Sequence, residues 1–151
     1  MIAHLAFLFR RDLSRLREEL ELYPDDASLW RVVPGITNSG GTLALHLAGN
    51  LRWFIGQELG GVPYVRDRAA EFSRRDLPRA ELLREVGEAD TAVGAALAGL
   101  NEDTLRRPPP SSFPGGPEGA DTAFMLLALS AHLNWHLGQI NSHRRLLSAP
   151  S

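Results

Sequence analysis

Apolar residues recur at helical spacing in four long segments of this chain, and no segment shows the alternation typical of a strand. Proline marks two of the boundaries: Pro24 ends the first segment, and Pro78 opens the third at a favoured first-turn position. The second segment follows the N-cap residues Asn38 and Ser39. We therefore predict an all-α fold whose helices span about residues 2–23, 40–59, 78–100 and 121–147.

Four amphipathic helices of about 20 residues are sufficient to enclose one hydrophobic core. The predicted architecture is a four-helix bundle forming a single domain over residues 1–151. The connection between helices two and three, residues 62–77, is polar and is predicted to contain a short helix around residues 66–72. The connection between helices three and four, residues 106–120, is rich in proline and glycine and is predicted to be a surface loop.

The composition excludes several kinds of chemistry. The chain has no cysteine, which excludes disulfides, a thiolate nucleophile and iron–sulfur clusters. All 16 basic residues are arginine, so neither a Schiff-base lysine nor a phosphate-loop lysine is present. The 16 basic and 18 acidic residues nearly balance, which argues against nucleic acid as the main partner. We expect no membrane association and a cytoplasmic location, since no apolar run approaches the roughly 20 residues of a membrane span.

Histidines form a polar row on the fourth predicted helix. His132, His136, Gln139 and His143 lie at positions i, i+4, i+7 and i+11, within a stripe about 60° wide. The stripe continues upstream through apolar residues, which indicates that it faces the core. Buried imidazoles require partners.

The second predicted helix repeats this spacing with His46, Asn50, Trp53 and Gln57. Two histidines one turn apart lie about 6 Å apart along the helix axis, a spacing that can chelate one ion. A histidine from a facing helix would complete a three-histidine site that leaves coordination positions open. We therefore predict that His46, His132 and His136 bind one divalent metal ion, with zinc favoured and nickel next.

Other polar and aromatic residues are candidates for supporting roles. Asn50, Trp53, Gln139 and His143 are predicted to lie around the ligands or to line a substrate pocket, with core packing or helix–helix hydrogen bonding as the alternative. Trp135 is predicted to pack inside the fold. Arg52, Arg66 and Arg68 are candidates for holding an anionic substrate, with solvent exposure or pairing with carboxylates as the favoured alternative. Glu58 and Glu71 are possible general bases, although the sequence places neither near the metal.

These motifs resemble the DinB/YfiT-like superfamily, in particular a bacterial branch described as a domain of unknown function. The resemblance extends over nearly the whole chain and is carried by the segment around His46 and by His132-Leu-Asn-Trp-His136-Leu-Gly-Gln139. It implies a four-helix bundle, often homodimeric, with a divalent metal on histidines that match His46, His132 and His136. Relatives include transferases and isomerases that use low-molecular-weight thiols. The shared motif is the metal site alone, so it does not transfer a substrate.

Three functions compete at this point. The first is a metal-dependent enzyme that activates water or a low-molecular-weight thiol, as a hydrolase or a thiol S-transferase acting on a small molecule. The second is a non-catalytic metal- or ligand-binding bundle. A structural ion normally has four protein ligands, whereas a catalytic ion has three. The third is an interaction bundle in which the histidines are satisfied by hydrogen bonds alone.

Overall fold

The computed structural model describes residues 1–148, and this range is all-helical without a strand, as predicted. Four long helices carry most of the core, and shorter helical segments connect them. The helices are α1 (Ile2–Glu21), α2 (Gly40–Leu51), α3 (Arg68–Ser73), α4 (Arg79–Ala98), α5 (Glu102–Leu105) and α6 (Thr122–Ser148). A 3₁₀ turn spans Ala27–Trp30, and a π-helical segment, Arg52–Gln57, continues α2.

The predicted apolar stripes are the buried faces of the long helices. The stripe residues predicted for α1 and α4 are at most 2% exposed, except for Leu8 and Leu100, which are only partly buried. Helices α1 and α2 each pack against both α4 and α6, so that apolar side chains from all four meet in one core. The buried stripe residues of α1 and α4 are Leu5, Phe9, Leu13, Leu16, Leu20, Leu82, Val86, Ala89, Val93 and Leu97.

Helix α2 is the most enclosed element. All of its residues, 40–51, are buried, including His46 and Asn50. Its N-terminus is capped as predicted, because the Ser39 hydroxyl accepts a hydrogen bond from the Thr42 backbone N–H at 3.2 Å. A helix that is buried on all sides holds its side chains in fixed directions, and His46 therefore has a defined position in the core.

The second predicted helix is not uniform. The α-helix ends at Leu51, and the next six residues form the π-helical segment Arg52–Gln57. There the backbone N–H of Glu58 donates to the Trp53 carbonyl at 2.9 Å, five residues back instead of four. Because a π-helical turn contains more residues than an α-helical turn, Gln57 at the end of the segment leaves the phase that a continuous α-helix predicts.

The connecting segments differ from the prediction in detail. Helix α3 lies at residues 68–73, close to the short helix predicted around 66–72. Helix α5 was not predicted, because four residues are too few to show a periodicity. Residues 106–120 contain no helix, in agreement with their proline and glycine content. Within residues 1–148, no helix has both the length and the apolar character that a membrane span requires.

Candidate metal centre

The structure brings together the three histidines that the sequence singles out. His46 extends from α2, and His132 and His136 extend from successive turns of α6. One ring nitrogen from each lies within 4.8 Å of the other two, an arrangement that could hold a metal ion. The rings are nearly perpendicular to one another, with interplanar angles of 82° to 90° and centroids 4.6 to 5.3 Å apart.

The separation of two ring nitrogens fits a shared ion. The Nε2 atoms of His46 and His132 lie 3.2 Å apart. Two nitrogens bound to one tetrahedral zinc at about 2.0–2.1 Å would lie about 3.3 Å from each other. The donor set is also appropriate, because neutral imidazole is a common ligand of zinc, nickel, copper and iron.

Hydrogen bonds to the opposite ring nitrogens direct two of the Nε2 lone pairs toward the cluster. The Nδ1–H of His46 donates to Glu71 Oε1 at 3.0 Å, and the Nδ1–H of His136 donates to Gln139 Oε1 at 2.6 Å. A proton fixed on Nδ1 leaves Nε2 as the unprotonated nitrogen. Oxygen partners of this type orient metal-binding histidines and make them more basic.

Glu71 is the residue that the sequence did not place at the centre. It is 5% exposed and accepts two hydrogen bonds from Arg66, from Nε to Oε2 and from Nη2 to Oε1, both at 2.9 Å. Glu71 therefore joins an arginine to a candidate ligand, in accord with the expectation that arginines of this region pair with carboxylates. Its close approach to α2 requires Gly49, since a Cβ there would lie 2.6 Å from Glu71 Cδ.

The electrostatics of the cluster favour neutral imidazoles and an ionised carboxylate. Burial, and then the neighbouring His136 and His46, lower the pKa of His132 to about 4. Burial also lowers the pKa of His136 despite the hydrogen bond to Gln139. Burial raises the pKa of Glu71, but the hydrogen bonds from His46 and Arg66 outweigh it, and the net shift is downward. Near neutral pH the rings of His132 and His136 are consequently able to bind a metal ion.

Hydrogen bonding alone does not satisfy the cluster. The Nδ1 atom of His132 is buried and has no hydrogen-bond partner among the described residues. This nitrogen would stay unpaired with an ion on Nε2 as well, so the observation that weighs against the third candidate function is the convergence of three ring nitrogens within 4.8 Å of one another.

Comparison with known protein families identifies the family to which the chain belongs. The family model of the DinB superfamily matches residues 8–140, a range that includes all three candidate ligands. The chain belongs to the DinB superfamily. No curated protein and no solved structure gives a significant match to this DinB-superfamily protein. The family and the three-histidine cluster together fit a possible metal site.

The residues predicted to surround the ligands of this DinB-superfamily protein have different environments. Gln139 contacts His136 directly, but its side chain is exposed. His132 and His136 are only partly buried, so this part of the polar row lies at the edge of the core and does not face it as predicted. Asn50 is buried one turn after His46, and its Oδ1 has no hydrogen-bond partner among the described residues. Trp53 lies in the π-helical segment and packs against the core.

His143 contacts none of the three candidate ligands through its hydrogen bonds. It is 1% exposed; its Nε2–H donates to the Arg31 carbonyl at 2.7 Å, and its Nδ1 lies 2.6 Å from the Tyr23 hydroxyl. The backbone N–H of Gly40 also donates to Nδ1, at 3.2 Å. His143 thus ties α6 to the start of α2 by helix–helix hydrogen bonds, the alternative considered for it above.

The expectation that Trp135 packs inside the fold was wrong, because its side chain is 70% exposed. The adjacent residues in sequence, Asn134 and His136, face α1 and the histidine cluster respectively. On the helix, the direction of Trp135 lies between those of Asn134 and His136. At that position its side chain points into solvent and does not pack in the core.

We expect Glu71→Gln to weaken metal binding by about 10- to 100-fold. This range is typical when a residue that hydrogen-bonds a metal ligand is replaced. Glutamine keeps the shape and an acceptor for His46, but it loses the negative charge to which the Nδ1–H of His46 donates. The measurement is a competitive chelator titration with zinc. Glu58→Gln is the matched control, because Glu58 hydrogen-bonds Ser112 and not the cluster. Equal affinities for the two variants would contradict the assigned role of Glu71.

The metal-free protein is expected to lose stability as the pH falls below about 6.5. The folded-state pKa values of His132, His136 and His143 are all lowered from 6.5, that of His132 to about 4. The unfolded chain therefore takes up protons first, and the stability conferred by the neutral rings is complete above pH 6.5 and is lost toward pH 4. Urea unfolding at several pH values measures this, and an unchanged midpoint between pH 7 and 5 would contradict it.

Proposed function

We propose that this chain is a DinB-type four-helix bundle whose core binds one divalent ion through His46, His132 and His136 for catalysis. The observation that carries the proposal is the number of ligands. The cluster holds three imidazoles, and within residues 1–148 no further histidine, aspartate or glutamate belongs to it. Three protein ligands leave room for substrate, whereas structural zinc sites normally have four.

A bound divalent ion would act as a Lewis acid that lowers the pKa of a coordinated water or thiol toward neutrality. The chain's own residues prepare the site for this role. Glu71 holds the proton on His46 Nδ1, and Arg66 fixes the carboxylate of Glu71 from the other side. Gln139 fixes the proton on His136 in the same way. These contacts orient the rings before an ion arrives and reduce the ordering cost of binding.

The reaction class that we propose is hydrolysis or thiol S-transfer on a small-molecule substrate. Because the chain has no cysteine, a reacting thiol would have to come from a low-molecular-weight cosubstrate. Zinc is the expected ion and nickel the next candidate, since three imidazoles suit either of them.

Metal analysis of the purified protein tests this proposal. We expect about one equivalent of zinc or nickel per chain after purification without added metal, and absence of stoichiometric metal would contradict it. Chelation then separates the enzyme from the alternative of a non-catalytic bundle. A helical circular dichroism spectrum that persists after metal removal favours the enzyme. Unfolding by the chelator favours a structural ion.

A further inference from the structure

A cavity of about 390 Å³ lies beside the candidate metal centre, between the start of α2, the middle of α6 and residues 35–38. Two of its lining residues lead to the cluster. Gln139 hydrogen-bonds His136, and Leu43 lies one turn before His46 on α2. Neither this cavity nor a larger one of about 620 Å³ has a candidate ligand in its lining, but the larger cavity is bordered by charged residues such as Arg17, Arg84 and Glu88.

The lining of the smaller cavity is uncharged. Leucine, isoleucine and tryptophan provide apolar walls, and threonine, asparagine, serine and glutamine provide hydrogen-bonding groups. A charged ligand group in this cavity would lose hydration without gaining an oppositely charged partner, which is unfavourable. The full lining is Gly35, Ile36, Thr37, Asn38, Leu43, Trp135, Gly138, Gln139 and Ser142.

Trp135 is the largest side chain of the lining. Its indole is 70% exposed although it directly precedes the candidate ligand His136. An indole left accessible at the mouth of a cavity offers a flat apolar face against which a ring can stack. Ligand pockets typically combine such a face with a few polar groups that fix orientation.

We propose that this cavity binds an uncharged, ring-bearing part of the substrate, with the ring stacked on Trp135. This inference rests on the proposed function, since the same molecule would place its reacting group at the histidine cluster. It adds a substrate class: small molecules whose recognised portion is neutral and cyclic, in preference to acyclic or anionic ones.

The experiment uses cobalt(II)-loaded protein and three thiols, with the visible absorption of cobalt as the readout of binding. Benzyl mercaptan is neutral and has a ring, 2-mercaptoethanol is neutral without a ring, and 3-mercaptopropionate is anionic. We expect benzyl mercaptan to bind about tenfold more tightly than 2-mercaptoethanol. Trp135→Ala should remove most of that preference. Leu127→Ala should retain it, because Leu127 is an exposed apolar residue of α6 outside the cavity.

A second variant fills the cavity without removing the indole. Gly138 lines the cavity, and a Cβ at this position would meet no atom within 4 Å. Gly138→Leu should therefore leave the fold and cobalt loading intact. It should weaken the binding of benzyl mercaptan more than the binding of 2-mercaptoethanol.

The outcomes separate the two proposals. Failure of the protein to bind cobalt would overturn the proposed function and this inference with it. Cobalt loading with an absorption spectrum that no thiol changes would overturn this inference and the thiol S-transfer reaction, and would leave hydrolysis as the proposed reaction. Cobalt loading with thiol binding, but with a preference that Trp135→Ala and Gly138→Leu leave unchanged, would overturn only the cavity assignment. Tighter binding of 3-mercaptopropionate than of benzyl mercaptan would do the same.

Discussion

His46→Ala is expected to abolish stoichiometric metal binding. His46 is the only candidate ligand from α2, and its Nε2 lies 3.2 Å from that of His132. Without it, two imidazoles from one helix remain, and no other described acidic or histidine side chain belongs to the cluster. The loss of zinc affinity should exceed the roughly 10- to 100-fold that follows removal of an outer partner. Metal analysis together with a chelator titration measures it.

Two control variants distinguish loss of a ligand from loss of structure. In His46→Asn, the amide NH₂ stands near the position of Nδ1 and can still donate to Glu71, but nothing replaces Nε2. We expect this variant to fold and to lack metal. His4→Ala removes an exposed histidine of α1 and should retain full metal content. Retention of metal by His46→Asn would show that His46 is not a ligand.

Gly49→Ala is expected to destabilise the protein and to weaken metal binding, against the usual helix preference. Alanine in a helix interior is normally favoured over glycine by about 1 kcal/mol. Here the new Cβ would overlap the Glu71 carboxylate, whose Cδ would lie 2.6 Å away. Glu71 could move only by giving up its bonds to His46 and Arg66. Hydrogen bonds to charged groups contribute about 1.5–3 kcal/mol, so we expect a net loss of about 1–2 kcal/mol.

Gly94→Ala is the matched control for that prediction. Gly94 is also inside a long helix, α4, but it is exposed and a Cβ there would meet no atom within 4 Å. It should stabilise the protein by up to about 1 kcal/mol. Urea unfolding of both variants gives the comparison, and a chelator titration should show about tenfold weaker zinc binding for Gly49→Ala alone. Stabilisation by both substitutions would contradict the proposed contact between Gly49 and Glu71.

The local pattern of the sequence predicts the parts of the site that lie on regular helices. His132 and His136 share one turn-to-turn spacing, and the apolar residues upstream set the direction of their stripe. The same reasoning places His46 on the core face of α2. These positions follow from a helical repeat of 3.6 residues, which a single sequence reveals directly.

Glu71 could not be found in that way, because its position depends on contacts between distant segments. It lies 25 residues from His46 along the chain, on a helix of only six residues. The approach of α3 to α2 depends on the missing side chain at Gly49 and on the ion pair with Arg66. A glycine in the interior of an apolar helix was the available signal, since it often marks a close contact.

The π-helical segment explains why the predicted polar row of the second helix does not extend to Gln57. Sequence periodicity assumes a constant rotation per residue, and the segment at residues 52–57 interrupts it. Gln57 consequently accepts a hydrogen bond from the Tyr64 backbone N–H at 2.9 Å, and it does not extend the polar row of His46 and Asn50. Such segments arise from packing and leave little trace in composition.

The complete burial of α2 has a consequence for how the centre could open. A helix without an exposed residue cannot unfold locally at its surface. We therefore expect its amide hydrogens to exchange with solvent only when much of the fold opens. α6, which carries His132 and His136, has an exposed face, and α3 is a single short helix. Local openings that admit or release an ion would therefore involve α3 and α6, while His46 stays in the slowest-exchanging part of the molecule.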